Sequence, residues 1–70
     1  MKVYHESEPH RGCTEEYVVK FWAPKPDGYM GKVEVSYFVR NSRSAHDVVT
    51  KRWLKDYRKR NVSLVSVTYQ

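Results

Sequence analysis

The fold is decided by the stretch SAHDVVTKRWLKDYRKR, which spans residues 44–60. Ala45, Val49, Trp53 and Tyr57 recur in it at every fourth position. This spacing is typical of an amphipathic helix that packs one face against a core. We therefore predict one helix over residues 44–60.

Both ends of this stretch carry helix signals. Ser44, followed three residues later by Asp47, resembles a capping box with Asp in place of Glu. Three cations stand in the predicted last turn, where the helix dipole favours them: Arg58, Lys59 and Arg60. Asn61 then suits the left-handed position that ends a helix.

Three further stretches predict strands. Residues 15–22, EEYVVKFW, are rich in β-formers, and residues 32–40, KVEVSYFVR, alternate strictly between two faces. The predicted inner face, covered by the helix, consists of Tyr17, Val19, Phe21, Val33, Val35, Tyr37 and Val39. Residues 62–69, VSLVSVTY, form the third predicted strand. Between the first two, residues 23–31 hold two Pro and two Gly and predict a loop longer than a tight hairpin needs.

The order of these elements limits the topology. A hairpin makes the first two strands antiparallel, and the helix then brings the third strand back beside either of them. We favour the order 2-1-3, because a central first strand explains its valines on both faces. The predicted fold is therefore α+β: a three-stranded, mostly antiparallel β-β-α-β sheet with one amphipathic helix packed on one face.

The N-terminal stretch has a different composition. Residues 1–14 are polar and contain Pro9 and Gly12, so we predict a flexible leader, with residues 2–4 as a possible short edge strand. Residues 15–70 form the single predicted domain. A chain of 70 residues is long enough for one small core and too short for a deep substrate cleft as well.

The charge is distributed unevenly along the chain. The net charge is +5, but residues 1–16 hold two basic and four acidic residues, which leaves −2 there and +7 in residues 17–70. A folded part this basic favours an anionic partner, although the charge also serves solubility. The charge alone leaves two classes of partner open: nucleic acid, or an acidic protein surface.

Catalytic and metal-binding patterns are weak. Ser44, His46 and Asp47 lie close in sequence, but near neighbours on a helix point in different directions and do not form a triad. His5, His10 and Cys13 are too few and too loosely spaced for a structural zinc site. We predict no enzyme, no metal site and no cofactor.

The predicted partner-binding surface is the basic side of the helix. Its candidate residues are Arg43, Lys51, Lys55, Arg58 and Lys59. These cations lie around the apolar stripe, so one side of the helix can pack on the sheet while the opposite side stays positive.

A second candidate surface combines the open side of the sheet with the loop. Its members are Lys20, Trp22, Tyr29, Met30, Lys32, Phe38 and Arg40. Aromatic rings mixed with cations can stack the bases of a single strand. The same group can form a protein-docking surface or a homodimer seam.

The remaining expectations concern location and assembly. No apolar run reaches membrane length, no signal peptide is evident, and a single Cys13 suits a reducing compartment. We predict a cytoplasmic protein that acts as a monomer or a weak homodimer, without membrane contact.

The pattern of elements resembles the small inhibitor of bacterial RNA polymerase found in T7-like phages. The likeness covers about residues 20–68: the run Lys20-Phe21-Trp22-Ala23, the alternating Val33-Glu34-Val35, the helix with Trp53 and Tyr57, and a last strand from Val62. The resemblance implies a phage-type accessory protein that docks on a host enzyme and blocks it. With the resemblance added to the charge, we expect the acidic surface of a host enzyme as the first choice of partner and nucleic acid as the second. In that family, basic residues on the last strand contact the polymerase and the helix is acidic. Here Ser66 and Thr68 occupy the matching positions and the helix is basic, so the resemblance implies no contact residue.

Overall fold

The computed structural model describes residues 4–6, 8–9, 11–58 and 60–70. Five elements follow one another: β1 (Tyr4–Glu6), β2 (Glu15–Pro24), β3 (Met30–Val39), α1 (Ala45–Tyr57) and β4 (Ser63–Tyr69). The four strands form one antiparallel sheet in the order β1-β3-β2-β4. The predicted β-β-α-β fold is confirmed, with its first predicted strand, β2, in the centre of the predicted three.

The additional strand β1 lies at the far edge of β3. Tyr4 pairs with Val39 and Glu6 pairs with Tyr37. Farther along the same N-terminal stretch, Cys13 is fully buried. Residues 4–6 and Cys13 therefore belong to the folded unit. The sequence had predicted a flexible leader with a short edge strand over residues 2–4, of which residues 2 and 3 lie outside the described part.

The β2–β3 hairpin is tighter than predicted. Ala23 pairs with Gly31 and Pro24 with Met30, so the connecting loop is reduced to residues 25–29. The Lys25 amide donates to the Tyr29 carbonyl (2.8 Å), and the Gly28 amide donates back to the Lys25 carbonyl (3.0 Å). Gly28 has φ +90°, a left-handed conformation that glycine adopts at little cost.

The helix is shorter than the predicted stretch of residues 44–60. No side-chain cap forms at Ser44, whose backbone has φ −101° and ψ 14°. The predicted capping box is therefore wrong. The Ser44 hydroxyl lies 3.5 Å from the hydroxyl of Ser42 instead of bonding to the first turn of the helix. At the other end the helix stops at Tyr57, and the Arg60 amide turns back to the Tyr57 carbonyl at 2.9 Å.

The core lies between α1 and one face of the sheet. Its buried residues are Val19, Phe21, Tyr37, Val39, Ala45, Val49 and Trp53. The Phe21 ring packs against Trp53 at 5.4 Å and against Tyr57 at 4.8 Å between ring centroids. The predicted helix stripe and the predicted inner face of the sheet are thus confirmed.

A β-bulge in β4 changes its alternation. Lys20 pairs with Ser66, whereas the next residue, Phe21, pairs with Leu64, which leaves Val65 as the extra residue. Since Val67 pairs with Val19, the bulge brings Leu64 and Val67 to the same, helix-covered face. Strict alternation would have placed these two side chains on opposite faces.

Candidate binding surfaces

The basic helix side is exposed to solvent. Arg43, Lys51, Lys55 and Arg58 are all exposed, while Val49 on the opposite side of α1 is fully buried. Lys51 and Lys55 are one helical turn apart and are therefore neighbours on the surface. Arg43 precedes the helix and Arg58 caps its C-terminal end. Lys59 lies outside the described residues.

These cations have no anionic partner in the part of the chain that the structure describes. None of the four takes part in an ion pair, whereas Lys20 pairs with Glu34 at 3.6 Å and Lys25 with Asp27 at 3.8 Å. Asp47 is the one acidic residue of α1 near this side, in the first turn where a carboxylate favours the helix dipole. The positive charge of the helix side is therefore available to a partner.

The second acidic residue of α1 is occupied on the other flank of the helix. Asp56 accepts a hydrogen bond from the Tyr37 hydroxyl (3.0 Å), and Arg52 lies 3.1 Å from its other oxygen. Burial raises the pKa of Tyr37 far above its usual range, and the hydrogen bond to Asp56 raises it further. Asp56 thus fixes α1 on β3.

A second contact of a tyrosine with a carboxylate joins β1 to the end of the helix. Burial is the main cause that raises the pKa of Tyr57, and the charge of Glu6 and a hydrogen bond to it add to the effect. Since Glu6 is the last residue of β1, this contact joins the N-terminal strand to the last turn of α1. Contacts of α1 with two strands, β3 and β1, therefore fix the orientation of the basic helix side.

The open face of the sheet is smaller as a platform than predicted. Trp22 is 41% exposed. Lys32 is its cross-strand partner on β3, and the Lys32 ammonium lies 5.8 Å from the centroid of the Trp22 ring. Phe38 is half-buried, whereas the sequence predicted that it would be exposed on this face like Trp22. Arg40 lies beside Gly12, and Lys20 is paired with Glu34. The structure therefore brings Trp22 and Lys32 together and does not present the whole predicted group.

The hairpin end carries two exposed side chains. Tyr29 is 74% exposed in the loop, and Met30 is exposed at the first position of β3 instead of in the loop. The carboxylate of Asp27 accepts from the Tyr29 amide at 3.0 Å and pairs with Lys25. This end is thus a small, electrically balanced tip.

Sequence reasoning missed a groove beside the end of the helix. Its volume is about 460 Å³. It is lined mainly by Phe21, Ala23, Val33, Tyr57, Arg60 and Val62. Because α1 ends early at Tyr57, Arg60 folds back over the Tyr57 ring, with its guanidinium carbon 5.4 Å from the ring centroid. The result is an apolar depression with a cation on its rim, next to Arg58.

The groove continues toward β4. Trp53, Tyr57, Val62 and Leu64 line an adjoining depression of about 360 Å³, which Arg58 and Arg60 also border. An apolar centre with charged residues around it is the usual arrangement of a protein-binding surface. The sequence signal for it was the apolar Val62 and Leu64 directly after the cationic run, but their common face depends on the bulge.

No described helix is long and apolar enough to span a membrane. No group of three His, Cys, Asp or Glu residues is placed to hold a metal ion in the described part of the chain, and His10 lies outside it.

Comparisons with protein-family models, with curated proteins and with solved structures found no match to this chain. The assignment of a function therefore rests on the surfaces themselves.

Proposed function

We propose that this chain is a small non-enzymatic binding protein that docks on a host macromolecule and modulates it. The docking surface is the basic helix side, formed by Arg43, Lys51, Lys55, Arg58 and Lys59. The observation that carries the proposal is that the described members of this set are exposed and lack anionic partners within the described chain. The first choice of partner is the acidic surface of a host protein. RNA polymerase is the specific candidate implied by the resemblance to the phage inhibitors.

The groove favours a protein over a nucleic acid at this site. The phosphates of a nucleic acid are bound by cations alone. A protein surface also carries apolar side chains, and these need a depression to fill. The groove next to Arg58 offers both, since Phe21 and Val62 line it and Arg60 borders it. A carboxylate beside an apolar side chain is the ligand chemistry that this combination fits.

The mode of action follows from the charge. Unpaired cations on one side of a small domain attract an acidic surface over several ångströms and accelerate association. Once docked, the rigid domain occupies the partner's surface and blocks access to it. No bond is made or broken in this mechanism, and the modulation is steric.

A pull-down from bacterial lysate tests the proposal. Tagged wild-type protein is expected to retain a protein partner after nuclease treatment, and the variant Lys51→Glu/Lys55→Glu is expected to lose it. Lys25→Glu/Lys32→Glu is the matched control, with the same change of net charge on the hairpin and the sheet. Equal retention by both variants would contradict the assignment of the site to the helix.

One observation favours nucleic acid as a second candidate function. Trp22 is exposed and Lys32 lies over its ring, which is a stacking position beside a cation. Titration with single-stranded oligonucleotides would then quench Trp22 fluorescence, and Trp22→Phe would remove that change while buried Trp53 remains as a constant background. Binding that falls steeply with salt would support this candidate.

A further inference from the structure

The two edges of the sheet are built differently. β1 is an edge of three residues that ends in the charged Glu6. β4 is an edge of seven residues, SLVSVTY, without a charge or a proline. Natural sheets usually block their edges by shortness, charge or proline, because an open edge pairs with another strand. The bulge at Val65 is the one such protective feature of β4.

The helix flank beside β4 also lacks Lys, Arg, Asp and Glu. His46, Thr50 and Leu54 succeed one another at intervals of four and therefore form one row. This row faces β4. The His46 ring lies 6.4 Å from the Tyr17 ring, and the Tyr17 ring lies 5.2 Å from the Tyr69 ring of β4, both measured between ring centroids. Farther along the row, Leu54 borders the same depression as Leu64.

Exposed apolar groups are concentrated on this flank. Leu54, Leu64 and Val65 are each between 43% and 48% exposed. By contrast, Arg52 and Asp56 lie on the β3 side of α1, and Lys55 shares that side because it follows Arg52 by three residues. The side of the domain next to β4 thus offers another molecule an exposed apolar surface.

The ends of β4 carry opposite charges. At its start, Arg58 and Arg60 border the depression that Leu64 lines. At its end, the Tyr69 hydroxyl donates to Glu15 at 2.5 Å, and the Gln70 amide donates to the Glu16 carbonyl. An antiparallel copy of the same strand would place the acidic end of one molecule beside the basic end of the other.

We propose that β4 is the interface for a second copy of this chain, which pairs antiparallel with β4 across a two-fold axis. The pairing joins two four-stranded sheets into one of eight strands, with Glu15 of each copy next to Arg58 and Arg60 of its partner. A two-fold axis makes the interface self-complementary, which this distribution of charge requires. The dimer does not require the proposed docking function, but both engage Arg58 and the groove bordered by Arg60.

Sedimentation equilibrium over a range of protein concentrations tests the dimer. Wild-type protein is expected to dimerise reversibly, and Val65→Lys to raise the dissociation constant about tenfold or more, because the symmetry places two new like charges in one interface. The matched control is Met30→Lys, which adds the same charge at a similarly exposed apolar residue at the hairpin end and should leave the constant unchanged.

A charge exchange tests the orientation. Glu15→Lys and Arg58→Glu/Arg60→Glu should each weaken the dimer, and the combination of all three changes should restore it. Thermal melts of each variant show that the monomer remains folded. Wild-type protein that stays monomeric at millimolar concentration overturns the proposal and leaves this edge to an extended segment of another protein. Equal weakening by Val65→Lys and Met30→Lys, or no restoration by the combined variant, also overturns it.

Discussion

At the scale of single residues, Trp53 carries much of the packing between helix and sheet. It is 3% exposed, and its ring lies 5.4 Å from Phe21. We expect Trp53→Ala to lower the free energy of unfolding by about 3–5 kcal/mol, because it leaves a cavity in a small core. Trp53→Phe should cost clearly less, since the buried indole nitrogen has no hydrogen-bond partner among the described residues. Denaturant melts measure both, and a loss below about 1 kcal/mol for Ala would contradict this role.

Tyr37 links stability to alkaline pH. Its pKa is raised by burial and by the hydrogen bond to Asp56, so the fold favours the neutral phenol. This stabilisation is present below the ordinary tyrosine pKa of about 10 and is lost as pH rises above it toward the higher folded pKa. Tyr37→Phe should cost about 1–2 kcal/mol at neutral pH.

The same substitution should make the decline of stability above pH 10 shallower, because one of the groups that titrates there is removed. Tyr57, whose pKa is also raised, keeps part of the decline. Urea melts at pH 8 and pH 11 compare the two chains. An equal loss of stability in wild type and variant would exclude Tyr37 as a cause.

At the scale of the elements, α1 combines two functions on opposite sides. We expect replacement of Lys51, Lys55 and Lys59 by Glu to leave the fold intact, at a cost of tenths of a kcal/mol per site, and to abolish partner binding. Replacement of Lys20, Lys25 and Lys32 by Glu changes the net charge equally on other elements and serves as the control. Circular dichroism checks the fold and calorimetry the binding. Normal binding by the first variant would make the helix cations mere solvated surface.

At the scale of the whole molecule, the N-terminal strand completes the sheet. Removal of residues 1–7 deletes β1, its backbone pairing with β3 and the contact between Glu6 and Tyr57. We expect a loss of about 1–3 kcal/mol in the free energy of unfolding, as a few net backbone hydrogen bonds would contribute. Glu6→Ala separates the carboxylate contact from the strand pairing. If the truncated chain melts like the full one, β1 is dispensable for stability.

The sequence alone determined what depends on local periodicity. The interval of four placed Ala45, Val49 and Trp53 on the buried stripe, and alternation placed Tyr37 and Val39 on the inner face. These patterns can be read in one segment, because the helix and strand periods are properties of the backbone. Strand order followed from the same patterns together with the rules of chain connection. The basic side of α1 could be predicted as well, since it is the complement of the apolar stripe.

Only the tertiary structure decided what depends on distant partners. The bulge at Val65 arises from the pairing of β4 with β2, and the pairing of β1 with β3 completes the sheet. Asp56 is held by Tyr37, nineteen residues away in sequence. The groove beside Arg60 and the open, charge-free edge likewise require β2, β4 and the helix end together. Contacts of this kind have no local period, so no single stretch of the chain encodes them.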